Sequence, residues 1–498
     1  MRTKKNFLKI ILGLSLLIIF VGLVYGAFFI WKITNTENKI NIKNENTVSF
    51  LDTFKNIVSP GKINLQGMDQ GRINILLLGI AGQGKPGRNL TDTIMIASFN
   101  TKTGQTALLS IPRDLFVEVP KNNYTAKINS IYEYGLQNYP ADAQKSIEPI
   151  RKTIENITSL DINYWAVINF DGFQKAVDAI GGINITNEFD IFDPRYPGPN
   201  YSYETFELSK GFHHLDGATA LKYARMRHND PESDFGRAKR QQQVMQTIKN
   251  KIFSTGTLLN PIAINQFLNT LGENVKTNIA SSEFADFVAL IKNLDTNNIN
   301  NVVLDAWKKD SLLRGSHITG ISALIPRVSN WSEVQELAQN IFDTNKIKRK
   351  REEIDKENAT VVIINKSGNS IVSNRINKLL KENFGYKNVV AISATGQKTE
   401  RQTFVYDLTG GKKLFTLNEL VEKLPARNAS PTSNASISDA NWHSDAGEPA
   451  KASSNWNFSD KKSIGNITAD LVLIIGKDLI PHYSLAEVDF KDYNEDSE

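Results

Sequence analysis

INILLLGIAGQGKPGRNLTDTIMIASFNTKTGQTALLSI, residues 73–111, is the stretch whose reading decides the fold class. Positions 75–79 are a continuous apolar run closed by glycine, the pattern of a strand buried on both faces. A Gly-rich loop, AGQGKPGRN, follows it. Two further strands are predicted over 93–99 and 105–111, joined by the turn NTKTG. Further on, a helix is predicted over 142–156 and a strand over 162–169. Asp171 reads as the N-cap of a helix through Ala179 that ends at Gly181-Gly182. Strands and helices alternate throughout, which predicts a three-layer α/β/α domain with a central mixed sheet.

Beyond that sheet lies FHHLDGATALKYARMRHNDPESDFGRAKRQQQ, residues 212–243. Arg225 and Arg227 are two apart and would share one face of a strand. Arg237, Arg240 and Gln241 stand at i, i+3 and i+4 and would share one stripe of a helix. Planar, permanently charged forks converging from two elements suit a phosphate or pyrophosphate. Leu215, Ala218, Ala220, Leu221, Tyr223 and Phe235 interrupt the block and tie it to a core, which favours a buried anion site over a solvated basic surface. His213 and His214 read as loop residues. Lys127 and Asn129, in the tripeptide KIN, read either as site residues or as a helix-start signal.

A helix through 244–253 continues the Arg block. From 258 to 350 the pattern turns helical, with strands near 302–304, and KIKRKREEIDKEN (346–358) is a charged connector or helix extension. A second, smaller unit follows, with strands at 360–365, 389–393, 403–407 and 470–476 and helices at 371–383 and 417–424. Residues 425–455, rich in Ser, Ala and Asn, read as a disordered insertion.

The chain has 498 residues, more than one ordinary domain. Its net charge of +5 is located entirely at the N-terminus, where Arg2, Lys4, Lys5, Lys9 and Lys32 precede the first acidic residue, Glu37. The remaining body is neutral and lacks the broad positive field on which nonspecific nucleic-acid binding relies. With no cysteine, disulfides, zinc–thiolate sites and thiol nucleophiles are excluded. Residues 10–31 form an apolar run long enough to cross a bilayer, preceded by basic residues, closed by Trp31 and followed by no small-x-small cleavage site. A single-pass protein with a cytoplasmic N-terminus and an extracytoplasmic body is expected.

NILLLGI (74–80), LTDTIMIASFN (90–100), LLSIPRD (108–114), KINSIYEYG (127–135), YWAVINFDGFQKAVDAIGGI (164–183) and the Arg block together resemble the LytR-CpsA-Psr family, whose members carry a "cell envelope-related transcriptional attenuator" domain. The segment 359–478, through VVIINKSGNS and ADLVLIIGKD, is similar to the small LytR C-terminal domain. The organisation then expected is a cytoplasmic tail (1–9), a transmembrane helix (10–31), a stalk (32–72), the family's catalytic domain (73–255) and a helical extension and linker (256–358). The C-terminal domain (359–480, with a disordered insertion at 425–463) and a tail (481–498) complete it.

The resemblance implies an enzyme that moves a glycopolymer, such as teichoic acid or capsule, from a polyprenyl-pyrophosphate carrier in the bilayer onto peptidoglycan. The product is a phosphodiester and magnesium assists. It implies pyrophosphate-binding roles for Arg113, Arg225, Arg227, Arg237 and Gln241, with Arg240 beside them, and a metal-linked role for Asp92. Phosphoryl transfer is mostly positioning and charge neutralisation, so these residue types fit the reaction. Asp92 would serve equally as a cap of the turn into its strand, and Arg113 as a surface partner of Asp114. The chain departs from the family at Ala81, where many members carry an aspartate, and at Leu90, where an arginine is common. With one carboxylate absent, Asp92 becomes the main protein ligand and magnesium is held more weakly. A transcriptional attenuator, disfavoured by the membrane helix, and a catalytically impaired lipid- or wall-binding protein are the alternative functions.

Overall fold

In the computed structural model, which describes residues 64–120, 124–198, 202–227, 230, 232–254, 272, 274–280, 283, 286–287, 289–290, 299–393, 399–429, 441–442, 450–451, 463–464 and 467–488, the opening apolar run is strand β1 (Arg72–Ile80). Its side chains alternate onto two covered faces. Leu76 and Leu78 enter one apolar cluster, Ile73 and Ile75 another. Strands β2 (Thr91–Asn100) and β3 (Thr106–Ser110) split in the same way, with Ile94, Ile96 and Leu109 on the first face and Met95, Ala97 and Leu108 on the second. The helix Ala143–Thr158 covers the first face with Ile147, Ile150, Ile154 and Ile157, a stripe at helical spacing. Each of these side chains contributes roughly 1.5–3 kcal/mol by leaving water. Phe287, Leu290 and Met245 lie on the second face. The three-layer arrangement follows.

A hairpin of β4 (Phe116–Val119) and β5 (Tyr124–Lys127) precedes β6 (Tyr164–Asn169). The helix Phe170–Ala179 then leads into β7 (Ile183–Asn187), β8 (Ile191–Pro197), β9 (Tyr203–Leu208) and β10 (Gly211–Leu215), which pair β8 with β9 and β7 with β10. With β11 (Val275–Thr277) and β12 (Ile299–Val303), the central sheet has the order β11-β6-β1-β2-β3-β12. β1 pairs in parallel with β6, and β3 with β12, while β2 and β11 run antiparallel to their neighbours.

Several local expectations are corrected. Asn169, not Asp171, caps the Phe170–Ala179 helix, accepting from Gly172 N at 2.8 Å; Asp171 lies in the first turn and is free to bind elsewhere. Arg225 and Arg227, expected to share a strand, do not: Arg225 ends the helix Gly217–Arg225 and Arg227 lies two residues beyond it. Asp216 caps it, accepting from Thr219 N at 2.8 Å, and Ala220, Leu221, Tyr223 and Ala224 face its core, so capping and 3.6-residue spacing outweigh the two-residue spacing of the arginines. His213 and His214 belong to β10 rather than a loop.

β12 meets the strand expected near 302–304; besides it, the stretch read as helical between 258 and 350 supplies β11 and a hairpin of β13 (Leu313–Ile318) and β14 (Ile321–Pro326). Thr319 and Gly320 both take positive φ (52° and 82°), the signature of a two-residue hairpin turn. Residues 345–357 are helical, as one of the two readings of the charged connector allowed.

The second unit builds a five-stranded sheet from β15 (Thr360–Asn365), β16 (Asn388–Ser393), β17 (Phe404–Asp407), β18 (Arg427–Ala429) and the strand Leu471–Ile475. β18 is a correction to the expected insertion. Arg427 N donates to Thr403 O at 2.9 Å and Ala429 is fully buried, so ordered structure extends four residues past Pro425. The expected membrane helix and stalk up to residue 63 and most of 430–466 lie outside the described residues; among the described residues no helix is long and apolar enough to cross a membrane.

Candidate active site at the carboxyl edge of the sheet

β1, β3, β6 and β12 all end on one edge of the central sheet, and β2 begins there. In open α/β sheets, ligands bind at that edge. Asp92 is the second residue of β2, and Arg113 follows β3 by three positions. Arg113 Nη1 reaches Asp92 Oδ1 at 2.9 Å, and its Nε lies 3.5 Å from Asp114 Oδ2. Lys127 Nζ donates to the other Asp114 oxygen at 2.8 Å. From the helix Ser233–Ser254, Arg237 Nη2 approaches the Asp92 carbonyl oxygen at 3.4 Å. Charges therefore alternate across the edge: two cations (Lys127, Arg113) hold two carboxylates (Asp114, Asp92), and Arg237, held by the Asp92 main-chain carbonyl, brings the group to one net positive charge before Arg225 is counted.

Arg225, at the last position of its helix, stacks over Phe170 with 4.3 Å from guanidinium carbon to ring centroid, and its Nη1 donates to Tyr196 Oη at 3.2 Å. Burial pushes the Tyr196 hydroxyl up to about 12, so it stays protonated beside the guanidinium. Gln241 Nε2 reaches the carbonyl of Ala224 at 3.3 Å and fastens the two helices one residue before Arg225. Arg227 follows in the extended connection, half-buried, its carbonyl accepting from Asp230 N at 3.3 Å. Arg240 does not join the group. It is 6% exposed and bonds Asp230, the Tyr223 carbonyl (3.1 Å) and the Met226 carbonyl, so it closes the loop that carries Arg227.

Sequence reasoning missed four contributors. Phe170 and Tyr196 give Arg225 its aromatic seat. Asp230 neutralises Arg240. Gln242, 3% exposed, drives its amide between β3 and β12, donating to Ser110 Oγ and Val302 O, each at 2.9 Å. Only Phe170 had a signal, inside the motif INFDGF. Lys127, one of two readings at the sequence level, sits in the charge chain and also starts a short 3-10 turn, Ile128–Ser130.

The Gly-rich loop 81–90 lies beside this edge. Gly82 has φ 92°, and a Cβ there would stand 2.9 Å from Asn169 Cβ, so the loop's approach requires glycine. Lys85 Nζ contacts both oxygens of Asp171 at 2.9 Å and ties the loop to the helix that starts at Phe170. For a divalent cation the donor chemistry fits in a limited way. Asp92 offers hard carboxylate oxygen, Asp114 is buried and taken by Lys127 and Arg113, and Ala81 is 4% exposed where a second carboxylate would stand. Among the described residues no group of three acidic, His or Cys side chains forms a cation cage. Magnesium here would need oxygens from its substrate.

A mixed α/β sheet with guanidinium groups gathered at its carboxyl edge defines an anion-handling α/β protein. Residues 27–340 match the LytR_cpsA_psr family profile, and the chain belongs to that family. A polyisoprenyl-teichoic acid–peptidoglycan teichoic acid transferase TagU of Bacillus mycoides (strain KBAB4) is 30% identical over 292 residues, 58% of this chain and 84% of the relative. The TagU of Enterococcus faecalis (strain ATCC 700802 / V583) is 27% identical over 278 residues, 55% of this chain and 80% of the relative. Among solved structures, TagV of B. subtilis aligns with a TM-score of 0.43 at 24% identity, covering 55% of this chain and 97% of that one. TagT bound to LIIa-WTA aligns with 0.42 at 23% identity, covering 58% and 95%.

Proposed function

We propose that this chain is a membrane-anchored extracytoplasmic phosphotransferase that moves a glycopolymer from a polyprenyl-pyrophosphate carrier onto peptidoglycan. The observation that carries it is the Asp92-centred cluster of Arg113 and Arg237, with Arg225 stacked nearby, in a chain of a family whose curated relatives are named teichoic acid transferases. In the reaction, an acceptor hydroxyl oxygen bonds to the glycan-bearing phosphorus, the bridging P–O bond breaks, and polyprenyl phosphate leaves with that electron pair. The hydroxyl proton passes to the medium. Negative charge spreads over the pyrophosphate oxygens, and several preorganised guanidinium groups in a half-buried site are suited to meet it.

Arg113, Arg237 and Arg225 would bind and orient the pyrophosphate, with Arg227 and Gln241 beside them. Asp92 would keep Arg113 aimed and, with phosphate oxygens, hold magnesium, which supplies extra positive charge at the pyrophosphate. The apolar run 10–31 supports an N-terminal anchor, which keeps the site near a bilayer-borne carrier.

Purified protein, a glycan-pyrophosphoryl-polyprenol and peptidoglycan should yield polyprenyl phosphate and glycan-bearing wall. Arg225→Ala should retain the fold and lose about 2–4 kcal/mol of transition-state stabilisation, on the scale of one lost oxyanion donor. A wild-type transfer rate in the variant would remove Arg225 from the site. Donor binding without any transfer would instead favour a wall- or lipid-binding protein, the reading that Ala81 supports. A reporter fused after Glu498 should be active only outside the cytoplasm; a cytoplasmic signal would overturn the anchor's orientation.

A further inference from the structure

A cavity of 670 Å3 opens between the two units, bounded by the loop after β12, the helix Asn345–Glu357 and the second sheet's helix Leu414–Lys423. We propose that this cavity is the acceptor subsite and takes a zwitterionic, peptide-bearing glycan chain; the proposal rests on the transfer reading above. Its volume lies within the range of small-ligand sites, about 300–1,000 Å3.

The floor is built from ion pairs that satisfy each other: Arg327 with Glu333, Lys423 with Glu336, and Arg351 with Glu419, each at 2.7 Å. One donor is left over. Arg327 Nη1 is buried with no hydrogen-bond partner, although its Nε and Nη2 are spent on Glu333. That nitrogen is enclosed by protein, so Arg327 belongs to the floor, and the charges a ligand can reach are those of the rim.

The rim carries charges of both signs. Asp310, Lys348 and Glu352 are exposed, and their side chains make no ion pair or hydrogen bond among the described residues. Over the whole lining, six carboxylates face six cations. A polymer of phosphodiesters would meet repulsion as often as attraction. A chain carrying ammonium groups, carboxylates and hydroxyls can pair with both signs, so complementarity selects the acceptor over the donor polymer.

The position fits. Leu304 N donates to Ser110 O at 3.1 Å, which places the cavity's inner wall beside the β3 end that leads to Arg113. At the mouth, Lys308 Nζ lies 3.9 Å from Glu232 Oε1, and Glu232 N donates to Asp230, the partner of Arg240. A chain seated in the cavity would leave it over residues 304–311, toward the arginines.

The full chain in detergent would be titrated calorimetrically with a soluble disaccharide-pentapeptide released from peptidoglycan, with no donor present. Saturable binding is expected, at least tenfold weaker in each of the single reversals Lys348→Glu and Asp310→Lys, with affinity for inorganic pyrophosphate unchanged. Absence of fragment binding, equal affinity in both reversals, or tighter binding of a soluble poly(glycerol phosphate) would overturn the proposal. Transfer to whole wall is assayed in parallel. Transfer without fragment binding removes the subsite and leaves the transferase reading standing. Charge-dependent fragment binding in a protein that transfers nothing keeps the subsite and removes the transferase reading.

Discussion

Arg225 and Arg240 stand fifteen positions apart and carry the same guanidinium into opposite roles. Arg225 lies on an aromatic seat at the sheet edge, while Arg240 is buried against Asp230 and two carbonyls. Removing one partner of a buried pair leaves an uncompensated charge, which costs about 3–5 kcal/mol. Arg240→Ala should therefore lower the thermal midpoint sharply, whereas Arg225→Ala should lower transfer and leave the midpoint nearly unchanged; calorimetry on both decides. If Arg240→Ala melted with wild type but lost transfer, Arg240 would belong to the binding group after all. Asp92 is the other residue with a separable role. With Ala81 beside it, magnesium should bind weakly to the protein alone and more tightly when a pyrophosphate lipid supplies further oxygens, and Asp92→Ala should abolish that gain. Tight magnesium binding to the protein alone, insensitive to Asp92→Ala, would place the metal elsewhere.

At the scale of elements, the helix Ser233–Ser254 sets the spacing of the site. It carries Arg237 toward Asp92, Gln241 toward Ala224 and Gln242 into the seam between β3 and β12. The Gln242 amide replaces water for two buried acceptors on different strands, so it pins the helix to the sheet at one register. Gln242→Leu strands Ser110 Oγ and Val302 O and should cost about 1–3 kcal/mol. Urea unfolding would read that loss, with an unchanged m-value if the same surface is exposed. An unaltered midpoint would mean that the helix is registered by its apolar contacts alone.

At the scale of the whole molecule, Glu336 joins the two units. It lies on the helix Ser332–Gln339 and receives Lys423 Nζ at 2.7 Å and Lys350 Nζ at 2.8 Å. Burial pushes the Glu336 carboxyl up, but Lys423 and Lys350 outweigh it and hold the group below its ordinary 4.5. Burial pulls Lys350 down, and Glu336 outweighs that and holds it above 10.5. A depressed carboxyl binds fewer protons folded than unfolded, so its contribution is complete above 4.5 and is lost as pH falls through the folded value. A raised ammonium contributes fully below 10.5 and loses that contribution as pH rises through its folded value. Docking of the units should therefore weaken first on the acid side, and Glu336→Gln should flatten that acid dependence. Limited proteolysis between the units across a pH series reads it; an identical acid profile in Glu336→Gln would remove Glu336 from the joint.

Most strands of both sheets were legible because each depends on local pattern: the apolar runs at 75–79, 94–97 and 360–365 leave little choice of state, whereas the three-residue strands β11 and β18 are too short to carry a pattern and form only against their neighbours in the sheet. The candidate site was legible as an inventory, since guanidinium and carboxylate chemistry is carried by residue type. Its arrangement was not. Whether Arg225 or Arg240 faces the sheet edge depends on where Asp230, Phe170 and Tyr196 come to lie, and those contacts join residues 10 to 55 positions apart. The pairing of β12 with β3, and the Glu336 joint that closes the interdomain cavity, span longer separations still. By itself the sequence determined which segments bury apolar surface and which charges are available. Tertiary packing decided which charges neutralise one another and which remain for a ligand, because a buried charge takes its partner from space, not from its neighbours along the chain.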